Sequence, residues 1–124
     1  MQVPGDTDIL VTHSPAFGRL DTTRRREAAG CPHLRDAIEI IRYFIEIVLK
    51  ILYFSTFPYR PLVHLCGHIH ESHGILQSDR TTTVNAALLD REGSLAWQPV
   101  VLGACCFQKT HEDCCRRTRI FSNF

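Results

Sequence analysis

The sequence Gly-His-Ile-His at residues 67–70 places two histidines two positions apart, directly after the apolar run 62–66. In a β-strand, residues i and i+2 point to the same face, so both imidazoles would leave one strand end side by side. Imidazole is a common ligand of zinc, iron and manganese. Gly67 permits a sharp turn that would aim both rings into a cleft. The pattern indicates a metal site formed by His68 and His70, although an isolated pair of this kind more often consists of surface or packing histidines.

A third histidine, His13, ends another apolar segment. Residues 7–13 read Thr-Asp-Ile-Leu-Val-Thr-His, with Pro-Gly before them and Ser-Pro after them, which predicts a short buried strand. Residues 62–66 predict a second strand for the same reason. All three histidines are therefore expected at the ends of strands.

Between these strands, residues 16–30 predict a loop and residues 31–59 predict helix. Pro32 stands early in the segment 31–38, where its missing N–H costs little, and this favours a helix opening there. Residues 38–59 are strongly apolar, with one narrow polar stripe, which predicts a buried or partner-facing helix. A membrane span would need about 20 uncharged apolar residues, so it is disfavoured, while an interfacial amphipathic helix remains an alternative.

Two more strands are predicted near the other end of the chain. Residues 81–89 are rich in β-branched side chains, and the turn-like residues 90–94 separate them from residues 95–102. A hairpin is expected here, with Pro99 confining the second strand to an edge. Residues 103–124 lose all periodicity and are expected to form an irregular, Cys-rich tail.

The composition is that of an ordinary folded domain. The chain has 124 residues, 44% of them hydrophobic and 22% charged, with a formal charge of +1. One domain is expected, and nothing in the charge favours nucleic acid or an anionic membrane as a partner. No secretory signal opens the sequence, so a cytoplasmic location and reduced thiols are expected for a chain with six cysteines.

Separate short motifs follow one another along the chain: Val11-Thr12-His13-Ser14-Pro15, Gly18, Leu20-Asp21, Gly30-Cys31, Leu65 to Glu71, and Val84-Asn85-Ala86. In type and order they resemble the calcineurin-like metallophosphoesterases, most closely the branch of metallophosphoesterase-domain-containing proteins. The resemblance covers residues 6–38 and 60–102. It implies an α/β fold, part of a four-layer αββα sandwich, and a metal-dependent hydrolase acting on phosphate esters.

The same resemblance implies two metal ions at the strand ends (manganese, iron or zinc) that activate a water molecule for attack on the substrate. His13 and His68 match ligands of one metal, and His70 matches a ligand of the other. Catalytic residues are not assigned.

Four other positions are assigned supporting parts. Gly67 would provide the turn, while Asp21 and Asn85 match structural positions or positions that support the ligands. His73, just beyond the pair, is a candidate substrate contact, with a solvated loop histidine as the alternative.

The sequence departs from the family in one respect that bears on activity. The Asp-x-His, Gly-Asp-x-x-Asp and Gly-Asn-His-Asp/Glu motifs of the family's earlier half do not occur in it. Residues 1–102 are therefore expected to represent the C-terminal half of the domain, with weak or no hydrolysis by this chain alone. The alternative is a non-catalytic fragment that binds metal weakly or acts as an interaction module through its apolar helix. Self-association through exposed sheet edges or the 38–59 helix is expected in either case.

Residues 40–59 have no counterpart in the family and are predicted to be an insertion. Two hypotheses remain for them: a translated intervening sequence, or a real helix that covers the sheet or docks a partner. In the tail, Cys105-Cys106, His111 and Cys114-Cys115 have spacings unlike those of structural zinc sites, so a zinc site there is disfavoured.

Two remaining features have a simpler interpretation than function. His64 lies deeper in the predicted strand and is expected to be a packed or hydrogen-bonded histidine. The run Arg24-Arg25-Arg26 could steer a phosphate toward the site, but a short basic run is more often a solvated face.

Overall fold

The structure, a computed structural model, describes residues 3–4, 7–39, 61–78, 81–102 and 120–123. Within them the chain is mixed α/β, with a five-stranded sheet and one helix. The strands are β1 (Ile9–Thr12), β2 (Val63–Cys66), β3 (Gly74–Ser78), β4 (Thr81–Asn85) and β5 (Ile120–Asn123). The described part of helix α1 covers residues 32–39, and a short 3-10 helix covers His70–Ser72.

The sheet is mostly parallel, in the order β3-β4-β2-β1-β5. β2 lies at its centre, parallel to β1 on one side and to β4 on the other, and β5 is parallel to β1. β3 alone is antiparallel, paired with β4 at the edge. Because β1, β2 and β4 run in the same direction, the residues that follow them meet at one edge of the sheet.

Helix α1 packs on the sheet through two residues one turn apart. Leu34 and Ile38 are buried with Leu10 of β1 and with Ala16, and these four form a core cluster. The i, i+4 spacing places both helix residues on one face, so the apolar side of the helix covers β1. The helix begins at Pro32, which confirms the helix opening predicted from the sequence.

The predicted hairpin is built differently in the structure. The turn at 90–94 is present and closes a short hairpin with a bridge between Leu89 and Leu95, but residues 95–102 form no strand. β4 instead pairs with β3, residues that the sequence did not mark as a strand. In β3 the exposed positions include Ile75, so the inward-apolar alternation that identifies a half-buried strand is missing.

A second strand also lies where no periodicity predicted one. Within the segment expected to be irregular, β5 pairs with β1 over four residues, with Ile9 opposite Ile120. An edge strand paired on one side needs little burial, and Ile120 is 67% exposed. Its sequence therefore carries no clear signature of a strand.

Several predictions fall outside the described residues. They concern the apolar insertion at 40–59 and the tail residues Cys105, Cys106, His111, Cys114 and Cys115. Among the residues that the structure describes, no helix is both long enough and apolar enough to cross a membrane.

Candidate functional site

His13 and His68 meet where β1 and β2 end. His13 Nε2 and His68 Nδ1 are 3.1 Å apart, and the two ring centroids are 4.6 Å apart at an interplanar angle of 48°. The backbone N–H of Gly67 donates a hydrogen bond of 3.0 Å to the carbonyl of His13, which ties the two strand ends together. Residues separated by 55 positions in the chain thus place two ring nitrogens at one point.

The separation of these nitrogens suits a shared metal ion. Two nitrogens bound about 2.1 Å from one ion lie about 3.0 Å apart at a right angle and about 3.4 Å apart at the tetrahedral angle. The observed 3.1 Å falls within this interval. The pair can therefore supply two ligands to one ion once the hydrogen bond that joins the two nitrogens is broken.

His68 has a strained backbone. Its φ is 69°, in the left-handed region, which costs a residue with a Cβ about 1–2 kcal/mol. Gly67, by contrast, has no left-handed φ, and a Cβ built on it would make only ordinary contacts at 4.0 Å. The turn expected at Gly67 is therefore made by His68 itself, and Gly67 contributes its N–H.

His70 is oriented by a backbone carbonyl. Its Nδ1 lies 2.8 Å from the carbonyl oxygen of Asp90, and because a carbonyl only accepts, Nδ1 carries the proton and donates. The lone pair of the neutral ring is then on Nε2. A carbonyl partner of this kind fixes the ring and tautomer of many metal-binding histidines.

The described residues do not complete a metal site. Among them, no group of three or more His, Cys, Asp or Glu side chains is arranged to hold one ion. The two nitrogens of His13 and His68 fit part of a coordination sphere, and His70 presents its free nitrogen separately. The described residues thus offer two ligands for one ion and a third ligand for another position.

Asp21 organises the loop that leads from β1 to α1. Its Oδ2 accepts hydrogen bonds from the N–H groups of Gly18 at 2.9 Å and Gly30 at 3.0 Å. A Cβ at Gly30 would lie 2.6 Å from backbone atoms of Ala16 and Phe17, so only glycine permits this close approach. Asp21 thus stabilises the loop through its hydrogen bonds to these two backbone N–H groups.

Asn85, at the end of β4, is fully buried and bridges three backbone segments. Its Nδ2 donates to the carbonyls of Leu20 at 3.2 Å and Ile69 at 2.8 Å, and its Oδ1 accepts from the N–H of Ala87. Because Ile69 lies between the two candidate ligands His68 and His70, Asn85 holds their loop in place.

His73 is placed away from the pair. Its Nδ1 donates to the carbonyl of Ala87 at 2.8 Å, and its ring stacks on Trp97 with centroids 5.3 Å apart and planes 3° apart. The side chain of His73 does not line the cleft described below, although its backbone N–H donates to the carbonyl of His70 at 3.4 Å.

His64 is a packed, hydrogen-bonded histidine, as its sequence position predicted. The hydroxyl of Thr12 donates to the carbonyl of Ser14, so it accepts from His64 Nε2 at 2.9 Å. Burial, with a smaller effect from the positive charge of Arg19, lowers the pKa of His64 from 6.5 to about 4. His64 is therefore neutral and has no part in the site.

Cys66 beside it is equally inert. Burial raises the pKa of this thiol to about 12, and its Sγ lies 3.5 Å from the carbonyl of Val84. A thiol so far from ionisation is neither a nucleophile nor a metal ligand at neutral pH.

A cleft of about 540 Å³ opens at His68 and His70. This volume is in the range of sites that hold a small molecule. Besides the two histidines, the lining residues are Thr23, Arg24, Arg25, Glu27, Glu71 and Arg91.

The sequence did not point to Arg91, which lies 20 or more positions from either histidine. In the sequence, a charged turn residue that lines a site looks the same as one that only faces solvent. The hydrogen bond between His70 and the carbonyl of Asp90, together with the position of Arg91 in the cleft lining, shows that this turn adjoins the site.

Comparison with known proteins finds several relatives of this sequence. It is 33% identical over 99 residues to UPF0046 protein K07C11.7 of Caenorhabditis elegans, an alignment that covers 80% of this chain and 28% of that protein. It is 29% identical over 99 residues to human metallophosphoesterase domain-containing protein 1, covering 79% of this chain and 24% of that protein. The sequence is related to metallophosphoesterase domain-containing proteins.

A second Caenorhabditis elegans relative, UPF0046 protein C25E10.12, is 28% identical over 104 residues, covering 81% of this chain and 31% of that protein. The chain thus spans between 24% and 31% of the length of these three relatives. No protein-family model matches it.

Proposed function

We propose that this chain carries part of the two-metal site of a phosphoesterase, with His13 and His68 as ligands of one ion and His70 as a ligand of the neighbouring ion. The observation that supports this most strongly is the 3.1 Å separation of His13 Nε2 and His68 Nδ1 at the ends of parallel strands. The relation to metallophosphoesterase domain-containing proteins agrees with it. In this proposal the sheet is one layer of a four-layer αββα sandwich.

Manganese, iron or zinc, when bound, would supply a hydroxide nucleophile and neutralise charge on the phosphoryl oxygens. The residues of the chain would hold the metal ions and orient the ligands. The Asp90 carbonyl keeps the proton of His70 on Nδ1, which would leave the lone pair of Nε2 for a metal ion. Asn85, through Ile69, fixes the segment between His68 and His70.

The proposal is tested by metal content and hydrolysis together. The purified chain is loaded with manganese, iron or zinc, and its bound metal and its hydrolysis of an aryl phosphodiester are measured with His13, His68 and His70 each changed to Ala. Each change should weaken metal binding by at least about tenfold, since loss of even a supporting partner has that effect.

His33 provides the matched control, because it is an exposed histidine on α1 that does not line the cleft. His33→Ala should bind metal as the parent chain does. Equal metal binding by all four variants would refute the assignment of the ligands, and absence of turnover at full metal loading would refute hydrolysis by this chain.

A non-catalytic chain that binds metal weakly is the second candidate. The observation in its favour is that the described residues hold no group of three or more side chains suited to one ion. Weak, histidine-dependent metal binding without turnover is the result that this candidate predicts.

A further inference from the structure

The cleft beside the histidines is bordered by cations. Arg24, Arg25 and Arg91 line it, and all three side chains are exposed. Within the described part of the chain, none of the three is paired with a carboxylate, since the ion pairs found there join Arg19 to Glu39 and Arg35 to Asp36. We call these three side chains the arginine rim.

The rim is built by two turns of the same construction. In the first, Thr23 N–H donates to the Glu27 carbonyl and Arg26 N–H donates to the Thr23 carbonyl. In the second, Asp90 N–H donates to the Ser94 carbonyl and Gly93 N–H donates to the Asp90 carbonyl.

Both turns are therefore hairpins with a three-residue loop, whose third loop residue is left-handed. That residue is Arg26, with φ 62°, in one turn and Gly93, with φ 79°, in the other. The first loop position of each turn is an arginine, Arg24 or Arg91.

Both turns are attached to the segment that carries the histidines. The hydroxyl of Ser72 donates to the carbonyl of Thr22, next to the first turn, at 2.7 Å. His70 Nδ1 donates to the carbonyl of Asp90, which opens the second turn, at 2.8 Å. These hydrogen bonds fix the two turns that carry the rim relative to His68 and His70. A basic run that only faces solvent would need no such attachment.

We infer that the arginine rim binds a second anionic group of the substrate, so that the substrate is a small phosphoester carrying at least one further phosphate. This inference rests on the proposed function. Guanidinium groups bind phosphate oxygens with paired, charge-assisted hydrogen bonds, and they stay charged at every physiological pH. Glu27 and Glu71 in the same lining carry the opposite charge, so they weaken the attraction of the rim for an anion.

The volume of the cleft favours a small ligand. About 540 Å³ accommodates a phosphorylated metabolite, whereas a nucleic acid would need a positive surface that continues beyond the cleft. The formal charge of the whole chain is only +1. A short multiphosphate is therefore the appropriate probe.

The test is calorimetric titration of the full chain with inorganic tripolyphosphate at fixed ionic strength, with metal removed by chelator. Arg24→Gln and Arg91→Gln should each weaken binding by about threefold to fivefold, as expected for exposed charge pairs. The double variant should lose about tenfold or more, and Glu27→Gln should strengthen binding.

Arg26→Gln is the matched control, because it removes the same charge from the same turn at a position that does not line the cleft. It should change the affinity by less than about twofold, the effect of a screened distant charge. An equal loss for Arg26→Gln and Arg24→Gln would overturn the inference, as would absence of binding, or tighter binding of single-stranded RNA than of tripolyphosphate.

The same titration in His13→Ala and His68→Ala separates the two proposals. Binding by the rim should persist in these variants without metal. If metal binding fails while rim-dependent binding of tripolyphosphate remains, the proposed metal site is refuted, although the rim still binds an anionic group. If metal binds as proposed and the rim variants bind tripolyphosphate like the parent chain, the inference is refuted alone.

Discussion

The histidines of this chain differ in role according to their surroundings: some are exposed candidate ligands, and one is a buried structural residue. His13 and His68 are exposed at the strand ends with ring nitrogens 3.1 Å apart, while His64, inside β2, is fully buried and hydrogen-bonded to Thr12. His68 also has a left-handed backbone, and strain of this kind is concentrated at functional sites. Residue type alone does not distinguish the exposed pair from the buried His64.

The buried His64 makes stability depend on pH. Its pKa is about 4 in the folded chain and about 6.5 when unfolded, so the unfolded state binds more protons between these values. Its contribution is fully present above pH 6.5 and is lost as the pH falls toward 4. The loss should reach about 3 kcal/mol, measured as the free energy of unfolding by urea at a series of pH values.

The His64→Gln variant isolates this effect, because it keeps a side-chain N–H for Thr12 and cannot titrate. Its unfolding free energy should depend less on pH over the same interval than that of the parent chain. If the variant does not fold, the imidazole resonances of His64 in the parent chain give the answer directly: titration near pH 6.5 would contradict the buried, neutral state.

At the scale of the element, the two hairpin turns offer an internal comparison. The left-handed loop position is occupied by Arg26 in one and by Gly93 in the other. A residue with a Cβ costs about 1–2 kcal/mol there, and glycine loses about 0.5–1 kcal/mol through the greater freedom of the unfolded chain. Arg26→Gly should therefore raise the free energy of unfolding by about 0.5–1 kcal/mol.

The opposite change in the second turn serves as the control. A Cβ at Gly93 would meet nothing within 4 Å, so Gly93→Ala tests backbone conformation alone. It should lower the unfolding free energy by a similar amount. A destabilised Arg26→Gly together with a neutral Gly93→Ala would show that the turns do not share the construction described above.

Sequence patterns located the inner elements of the fold and missed its edges. Apolar runs, β-branched residues and the position of Pro32 predicted β1, β2, β4 and the start of α1. These elements are buried, so their sequences carry a recognisable hydrophobic pattern. β3 and β5 lie at the two edges of the sheet. There the exposed side chains Ile75 and Ile120 obey no alternation, so strand formation is decided by pairing with β4 and β1.

At the scale of the whole molecule, the sequence predicted the residues at the strand ends but not the cleft around them. Gly-His-Ile-His and His13 were recognisable because each follows an apolar run that predicts a strand, although β2 ends at Cys66 and His70 begins the 3-10 helix. The arginine rim is assembled from two turns more than 60 positions apart, and no local pattern relates Arg24 to Arg91. Such a juxtaposition depends on the sheet order, which brings β1, β2 and β4 together.

The chain matches 24% to 31% of the length of the three relatives named above, and the proposed ligands are three imidazoles without a carboxylate. Three neutral ligands leave the charge of two divalent ions uncompensated. Weak metal affinity is therefore expected of this chain. The assignment of the ligand atoms can be tested independently of that affinity.

The most direct test is long-range ¹H–¹⁵N NMR of the histidine rings during titration with Zn²⁺. The structure predicts that zinc shifts the Nε2 resonance of His13, the Nδ1 resonance of His68 and the Nε2 resonance of His70, while both nitrogens of His33 stay unchanged. Coordination through Nδ1 of His70, or shifts at His33 equal to those of His13 and His68, would contradict the proposed site.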